Sequence, residues 1–318
     1  MDEKFKKVYV KNIEQLTSEV KSFELAPVDL PELPAFSAGS HIITRLAVQD
    51  RVIERRYSLT NHPKSHLSYS IAIRKQEKSK GGSVLWHEQM KIGDILEVSY
   101  PKNHFSLSKQ AKKHLFFSAG IGITPYLSMM QALKMNSIPF ELYYAAPSIE
   151  NCPFYEQLLK DYSNECRFYF SSKGQRMDTS LMDDQPIGTH VYFCGSESMI
   201  NLYIEAAKSY GYTNREIHFE LFAPPSLGPA KGFLVELARS NKTIAIQSDE
   251  TVLDGLLKHN IEAPYSCRAG GCGSCQLEVL KGSVDHRDLF LTDVETKQNN
   301  CIMSCVSRAS GDKLVLNL

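Results

Sequence analysis

Three closely spaced cysteines in the last third of the chain are the residues whose types and spacing are best suited to chemistry. Cys267, Cys272 and Cys275 follow the spacing C-x4-C-x2-C, and Cys301 and Cys305 lie downstream. Five of the eight cysteines therefore fall within one short part of the chain. Thiolates are soft ligands that favour zinc and iron–sulfur clusters. This clustering predicts a metal site in the loop.

The spacing distinguishes between the metal centres that such a loop could hold. Zinc sites usually contain two C-x2-C pairs, whereas only one such pair is present here. A C-x4-C-x2-C run with a further cysteine downstream is the pattern of plant-type [2Fe–2S] clusters. The glycines of Gly270–Gly273 let the backbone wrap closely and direct N–H groups at sulfur. We therefore predict a [2Fe–2S] cluster, with Cys301 or Cys305 as the fourth ligand.

Two glycine-containing turns further upstream each follow a strand-like run and precede a helix-like one. Thr124 and Ser196 are suited to N-cap positions, and Pro125 is suited to the first helical position. Glycines at such a turn let a pyrophosphate approach the helix N-terminus. A G-x-G turn alone indicates no more than a tight bend, because it is not the full dinucleotide fingerprint. The two segments read Ser118-Ala119-Gly120-Ile121-Gly122-Ile123-Thr124-Pro125 and Tyr192-Phe193-Cys194-Gly195-Ser196.

The elements that must position these motifs divide the chain into three parts. Short apolar segments separated by turn residues occupy positions 1–106, which predicts an antiparallel β-barrel or sandwich. Positions 107–223 alternate strand-like runs with helical patterns, as in an α/β parallel sheet. A Pro/Gly-rich linker at 224–231 precedes a last α+β domain at 232–318 that contains the cysteine loop. We therefore predict a multidomain protein of α+β and α/β class.

Composition limits the compartment and the partners. Lys plus Arg and Asp plus Glu are both 36, so the formal net charge is zero. This balance argues against nucleic acid or an anionic membrane as the main partner. The N-terminus is charged and has no apolar segment of a secretory signal, and no run reaches the roughly 18 apolar residues of a membrane span. These features predict a cytoplasmic protein with reduced cysteines.

The first two parts carry motifs that resemble the ferredoxin–NADP reductase superfamily. Arg55-Arg56-Tyr57-Ser58 resembles its R-x-Y-S flavin motif, and Lys80-Gly81-Gly82-Ser83 resembles the second half of the flavin phosphate site. The resemblance implies that the tyrosine packs on the flavin ring and that the arginine and serine meet its phosphate. It implies a flavin site of Arg55, Arg56, Tyr57, Ser58, Ala72, Ile73, Lys80, Gly81, Gly82, Ser83, Thr124 and Phe222. It also implies a nicotinamide site of Gly120, Ile121, Gly122, Thr124, Pro125, Cys194, Gly195 and Ser196.

The whole chain resembles the reductases of Rieske-type oxygenases, of the phthalate dioxygenase reductase kind. In that family the final cluster cysteine is followed by Val-Ser-Arg, as Val306-Ser307-Arg308 follows Cys305. The resemblance therefore makes Cys305 the fourth ligand and Cys301 a small apolar filler. It also implies a C-terminal β-grasp ferredoxin domain and FMN as the flavin, since no segment is apparent for the adenylate half of FAD.

This resemblance implies an electron path without acid–base catalysis. Nicotinamide delivers two electrons as a hydride and the cluster accepts one, so the flavin must lie between them. Thr124, Cys194 and Phe222 would shape the hydride pocket. The partner would be a Rieske oxygenase that docks near the exposed Tyr265, Arg268 and Ala269. Alternatives are another acceptor, such as a cytochrome P450, or a redox sensor or carrier without turnover.

The donor is predicted to be NADH. A 2′-phosphate needs nearby cations, and the segment Ala145–Glu150 after the second strand of the parallel sheet contains none. Lys173 and Arg176 could supply them from the end of the next strand, or they could belong to a solvated turn. The resemblance, dominated by NADH users, favours the second interpretation.

Overall fold

The computed structural model describes residues 5–48, 51–76, 82–223 and 231–318. They fall into two units, Met1–Phe219 and Glu220–Leu318, which are described separately below. Lys80, Gly81 and most of the expected linker lie outside the described residues.

The first unit begins with a six-stranded sheet in the order β4-β3-β6-β1-β2-β5, in which every neighbouring pair is antiparallel. Apolar side chains from these strands alternate with polar ones and meet in one core around Trp86, as expected for a barrel-like sheet. The predicted antiparallel architecture is confirmed. The elements are β1 (Phe5–Thr17), β2 (Val20–Pro27), β3 (His41–Val48), β4 (Arg51–Ser58), β5 (Tyr69–Arg74), α1 (Gly82–Glu88) and β6 (Ile95–Ser99).

A second sheet of the same unit has the order β11-β10-β7-β8-β9, and strands β7, β8, β9 and β10 are parallel. Strand β10 is buried along its whole length, which is typical of parallel strands with both faces covered. The predicted parallel sheet is therefore confirmed. Its elements are β7 (Lys113–Ala119), α2 (Thr124–Met135), β8 (Phe140–Ala146), α3 (Tyr155–Asp161), β9 (Cys166–Phe170), β10 (Thr189–Cys194), α4 (Glu197–Ser209) and β11 (Ile217–Glu220).

The second unit contains a five-stranded sheet in the order β13-β12-β18-β14-β16, a two-stranded sheet β15-β17, and two short helices. Helix α5 begins at a capping box formed by Thr251 and Asp254. It packs so closely on the sheet that a Cβ at Gly255 would lie 2.2 Å from Ile246 Cδ1. The elements are β12 (Phe233–Leu237), β13 (Lys242–Ile246), α5 (Val252–Lys258), β14 (Gln276–Lys281), β15 (Val284–Asp285), α6 (Asp293–Gln298), β16 (Cys301–Met303), β17 (Arg308–Ala309) and β18 (Lys313–Leu316).

Among the described residues, no helix combines the length and the apolar character that crossing a membrane requires.

Candidate functional site

The two glycine turns lie side by side at one edge of the parallel sheet. Strands β7 and β10 are parallel neighbours, and Ser118 is directly opposite Cys194 in their register. Both strands therefore end at the same edge, where ligands of open α/β sheets bind. The structure thus brings together two motifs that are far apart in the sequence.

The contact between these turns depends on the absence of side chains. A Cβ at Gly122 would lie 2.3 Å from the carbonyl oxygen of Cys194 and 3.1 Å from the nitrogen of Gly195. A Cβ at Gly195 would lie 3.1 Å from the Cβ of Ala119. By contrast, Gly120 has a φ of +56° and open space on its Cβ side. The edge therefore combines close backbone packing with an open position beside Gly120.

The helix that follows the first turn begins differently from the sequence prediction. Thr124 is the first residue of α2 and Ile123 is the N-cap, so the predicted N-cap role of Thr124 is wrong. A 3-10 turn over Gly120–Ile123 runs directly into α2 and leaves no extended residue at its start. The Thr124 hydroxyl instead donates to the carbonyl of Ile121 at 3.0 Å. Pro125 lies in the first helical turn, as predicted.

The second helix begins as the sequence predicts. Ser196 is extended, with φ −70° and ψ 151°, and its hydroxyl accepts a hydrogen bond from the Met199 N–H at 3.3 Å. Serine at this position supplies a partner for one of the N–H groups at the start of α4. Ser196 therefore fulfils its predicted N-cap role.

Sequence reasoning missed Tyr144, which supports the first turn from strand β8. Its hydroxyl donates to the carbonyl of Gly120 at 2.8 Å. Burial raises the pKa of Tyr144 well above its usual value, so the hydroxyl stays protonated and can donate. The sequence signal that could have identified Tyr144 is a tyrosine at the C-terminal end of the strand next to β7.

Ser118, at the end of β7, is fully buried, and its hydroxyl has no hydrogen-bond partner among the described residues.

Two of the predicted flavin residues meet at the start of α1. The side chain of Arg55 passes over Gly82, where a Cβ would lie 2.8 Å from Arg55 Nε. The Ser83 hydroxyl accepts a hydrogen bond from the Gln76 N–H at 3.1 Å. A guanidinium beside the backbone of a glycine is chemically suited to a phosphate.

The R-x-Y-S segment divides between two faces of the sheet because side chains alternate along a strand. Tyr57 turns toward the core, edge-on to Trp86 with ring centroids 6.0 Å apart. Arg55 shares this face with Tyr57, whereas Arg56 and Ser58 point to the other face. Burial raises the pKa of Tyr57. The four residues therefore cannot all present side chains to one side of the strand.

The flavin strands and the nucleotide turn meet within the first unit. Strand β5, which carries the buried Ala72 and Ile73, contacts the 3-10 turn that follows β7. The Gln131 side chain of α2 donates to the carbonyl of Thr60 at 3.0 Å. A further bond runs from the Gly39 N–H to the hydroxyl of a serine in α2. These bonds attach helix α2 to the segments next to β3 and β4 of the first sheet. Phe222 follows the division between the units, so its place in the hydride pocket stays a prediction.

The cysteine loop of the second unit places its thiols in two pairs. The sulfurs of Cys275 and Cys305 are 3.0 Å apart. The Cys267 N–H donates to the sulfur of Cys272 at 3.4 Å, and the Ala269 N–H donates to the sulfur of Cys267 at 3.3 Å. All four cysteines are free thiols. Two pairs fit a cluster of two irons, in which each iron takes two protein ligands.

The two thiols of each pair have pKa values shifted in opposite directions. The hydrogen bond between Cys267 and Cys272 lowers the pKa of Cys272 and raises that of Cys267. The bond between Cys275 and Cys305 lowers the pKa of Cys275 and raises that of Cys305. Within the described part of the chain, no three His, Cys, Asp or Glu side chains converge on a point suited to one metal ion.

Cys301 lies in β16, opposite Glu278 of β14, and is buried. The preference for Cys305 over Cys301 stays a prediction.

Two loop glycines adopt the backbone conformations that the sequence anticipated. Gly270 has φ +75° and Gly273 has φ +74°, in the left-handed region that favours glycine. A Cβ at Gly270 would lie 2.8 Å from Val306, and one at Gly273 would lie 2.3 Å from the ring of Phe290. The loop could not wrap this closely with side chains at these positions.

The predicted docking residues differ in exposure. Tyr265 is 40% exposed, and the Arg268 guanidinium lies 4.8 Å from the centre of its ring. Ala269 is only 2% exposed, so the expectation that it is exposed is wrong. Its N–H is turned toward the Cys267 sulfur, and this draws the residue inward.

Comparison with known protein families agrees with this division of sites. Residues 7–107 match the oxidoreductase FAD-binding domain, and residues 235–310 match the 2Fe-2S iron-sulfur cluster binding domain. Residues 99–217 match the N-terminal domain of dimethylamine monooxygenase subunit DmmA-like proteins.

Individual relatives match along nearly the full length. The chain is 38% identical to the carnitine monooxygenase reductase subunit of Escherichia coli (strain K12), covering 98% of each protein. It is also 38% identical to the heme-dependent oxidative N-demethylase beta subunit of Ectopseudomonas mendocina (strain ymp), again with 98% coverage of both.

Solved structures also match along nearly the full length of this chain. Phthalate dioxygenase reductase matches with a TM-score of 0.77 and 31% identity, covering 99% of this chain and 98% of that one. An intact type IV self-sufficient cytochrome P450 monooxygenase matches with a TM-score of 0.77 and 35% identity, and this chain spans 41% of its length.

Together, the fold and sites define a flavin- and [2Fe–2S]-containing oxidoreductase. The chain belongs to the family of reductase subunits that serve multicomponent oxygenases.

Proposed function

We propose that this chain takes a hydride from NADH onto FMN and passes the electrons singly through its [2Fe–2S] cluster to a Rieske-type oxygenase. The observation that carries the proposal is the contact between β5 of the flavin sheet and the Gly120–Ile123 turn of the parallel sheet. A nicotinamide at that turn would face a flavin held along β5. When bound, the nicotinamide supplies a hydride, the flavin converts it into single electrons, and the cluster takes one electron at a time.

The chain's own residues bind and orient these groups. Gly120 leaves room beside its backbone, and Gly122 and Gly195 allow the two turns to meet. We propose that Cys194, which is buried, forms the base of the nicotinamide site, and that Thr124, the first residue of α2, contributes to the same pocket. No side chain is needed as a general acid or base in this reaction.

FMN is proposed as the flavin on the basis of the phosphate site and the family resemblance. Arg55 beside Gly82 offers one phosphate position, with Lys80 and Gly81 as further proposed ligands. Releasing the flavin by heat and separating it by chromatography would identify it. Recovery of FAD would contradict this part of the proposal.

NADH is proposed as the donor because of the charge at the end of β8. A hydrogen bond from the Ser148 hydroxyl lowers the pKa of Glu150, and the charge of Lys173 acts in the same direction. The Ser172 N–H donates to the carbonyl of Pro147 at 2.9 Å, so the loops after β8 and β9 are joined. A 2′-phosphate there would meet the carboxylate of Glu150. Steady-state kinetics with both nucleotides test this, and a larger kcat/KM for NADPH would contradict it.

A second candidate acceptor is a haem protein. The N-demethylase subunit and the self-sufficient P450 named above support this alternative, because each carries this reductase type in a haem-dependent system. Mixing the purified holoprotein with a Rieske oxygenase or a haem oxygenase and measuring NADH-dependent substrate turnover would separate the two. Turnover with the haem partner alone would overturn the Rieske assignment.

The proposal also includes the bounds of the domains and the cellular location of the protein. We propose a flavin domain at 1–106, a nicotinamide domain at 107–223, a linker at 224–231 and a ferredoxin domain at 232–318, in a cytoplasmic protein. The oxygenase would dock beside Tyr265 and Arg268, near the cluster. NADH-dependent reduction of ferricyanide, followed together with the visible spectrum, tests enzymatic turnover against a role as a carrier or sensor.

A further inference from the structure

A buried carboxylate lies behind the cysteine loop and has no role in the function described above. The side chain of Asp288 is 1% exposed. Its Oδ1 accepts hydrogen bonds from the N–H groups of Phe290 at 3.2 Å and Leu291 at 2.9 Å. Its Oδ2 accepts one from the Ser307 hydroxyl at 3.1 Å and lies 3.8 Å from Nδ1 of His286. These three donors offset the cost of burying a carboxylate and fix its position.

Asp288 and the backbone of the next residue, Leu289, together contact the two separate segments that supply the cluster ligands. On one side, its Cα would lie 3.2 Å from a Cβ at Gly270, and the Leu289 N–H donates to the Gly270 carbonyl at 3.1 Å. Gly270 lies between the first two cysteines of the loop. On the other side, Ser307 follows the fourth cysteine, Cys305, by two residues. Ser307 also accepts a bond from the Arg287 N–H at 3.1 Å.

Asp288 shares the surroundings of the loop with other charged side chains, among them Asp254, which lies 3.9 Å from the Arg268 guanidinium. The guanidinium of Arg287 pairs with Asp285 at 2.5 Å. The nearest ring, His286, has both nitrogens buried without a hydrogen-bond partner among the described residues. Negative charge beside a redox centre disfavours the addition of an electron.

We propose that Asp288 is a positioning residue that ties the loop of Cys267, Cys272 and Cys275 to the segment of Cys305, and that its charge lowers the reduction potential of the cluster. The inference rests on the [2Fe–2S] part of the proposed function and not on the identity of the donor or acceptor.

The test compares two substitutions of Asp288 in the full-length holoprotein with one control. Asp288→Asn keeps a hydrogen-bond acceptor but removes the charge, and Asp288→Ala removes both. The control is Asp293→Asn, an exposed acid in the first turn of α6. Each protein is analysed for iron and sulfide, and its cluster is titrated with dithionite against a dye of known potential. Because NADH is absent from this titration, the result is independent of the proposed donor.

We expect Asp288→Asn to keep its iron while its cluster becomes easier to reduce. The one-electron equilibrium with the dye should shift by about tenfold, which corresponds to about 59 mV. Asp293→Asn should match the wild type, and Asp288→Ala should lose most of its iron. An unchanged potential in iron-loaded Asp288→Asn would overturn the role of the charge, and full iron in Asp288→Ala would overturn the positioning role.

Ser307→Ala is the second variant, for the case in which Asp288→Asn does not fold. It keeps the carboxylate and removes its bond to the segment of Cys305. Reduced iron content with normal NADH–ferricyanide activity would support the positioning role. Full iron content with an unchanged unfolding midpoint would overturn it.

Discussion

The nucleotide turns of the parallel sheet and the cysteine loop both depend on glycine, but for different physical reasons. In the turns, Gly122 is needed for space, because any Cβ there would meet the Cys194 carbonyl oxygen at 2.3 Å. In the loop, Gly270 and Gly273 are needed for backbone conformation as well, since both have φ near +75°. The turns are held by regular hydrogen bonding between strands. The irregular loop is held instead by isolated bonds, such as the one from the Leu289 N–H to the Gly270 carbonyl.

Because the two sites are held in different ways, a substitution that impairs one site should leave the other functional. Each unit has its own apolar core, so damage at one site should leave the chemistry of the other intact. The following substitutions test this independence, in order of decreasing expected effect.

The largest effect is expected from loss of a cluster thiolate. Cys275→Ser should abolish the [2Fe–2S] absorption and reduction of the oxygenase, because the buried Cys275 forms one of the two sulfur pairs. NADH–ferricyanide activity should persist, since the flavin still accepts hydride. Cys301→Ser is the matched control and should keep its full iron content. Loss of the cluster in Cys301→Ser with retention in Cys305→Ser would reverse the ligand assignment.

A large effect is also expected at the nucleotide turns. Gly122→Ala would force the Cys194 carbonyl to move, because a methyl group cannot lie 2.3 Å from it. The kcat/KM for NADH should fall at least about tenfold, which is about 1.4 kcal/mol in transition-state binding, while iron content stays normal. Gly311→Ala, with open space on its Cβ side, serves as the control. Wild-type kinetics in Gly122→Ala would show that the turns can separate without consequence.

An intermediate effect is expected at the flavin phosphate. Arg55→Ala should purify with little flavin but with an intact cluster, because it removes a charge-assisted hydrogen bond worth about 1.5–3 kcal/mol, or one to two decades of affinity. Arg74→Ala, which breaks an exposed ion pair with Glu19, is the control. Flavin content is measured by absorbance after release. Full occupancy of Arg55→Ala at low micromolar protein would move the phosphate site elsewhere.

The smallest effect is expected from the support of the first turn. Tyr144→Phe removes the hydrogen bond to the Gly120 carbonyl and should cost about 1 kcal/mol. We expect a modest rise in KM for NADH and a slightly lower unfolding midpoint of the first unit, with the cluster unaffected. Tyr210→Phe, an exposed tyrosine at the end of α4, provides the comparison. Equal KM values in both variants would mean that Tyr144 does not support the turn.

Local patterns account for the features that were predicted correctly. Helix α5, Val252–Lys258, is an example of such a local pattern, because its capping box lies within a few residues of its core positions. The cysteine spacing and the positive φ values at Gly270 and Gly273 are likewise properties of one short segment. The predicted N-cap of α2, Thr124, was wrong because a 3-10 turn precedes the helix. The sequence alone does not distinguish such a turn from an extended N-cap residue.

What the sequence by itself determined is the chemistry: which thiols lie close along the chain, where strands alternate with helices, and which turns contain glycine. What only the tertiary structure decided is which of these segments touch. Gly122 meets Cys194, Tyr144 supports Gly120, and Asp288 accepts a hydrogen bond from Ser307. The physical reason is that hydrogen-bond geometry and helix capping act over a few residues, whereas packing contacts depend on how distant strands are ordered in a sheet.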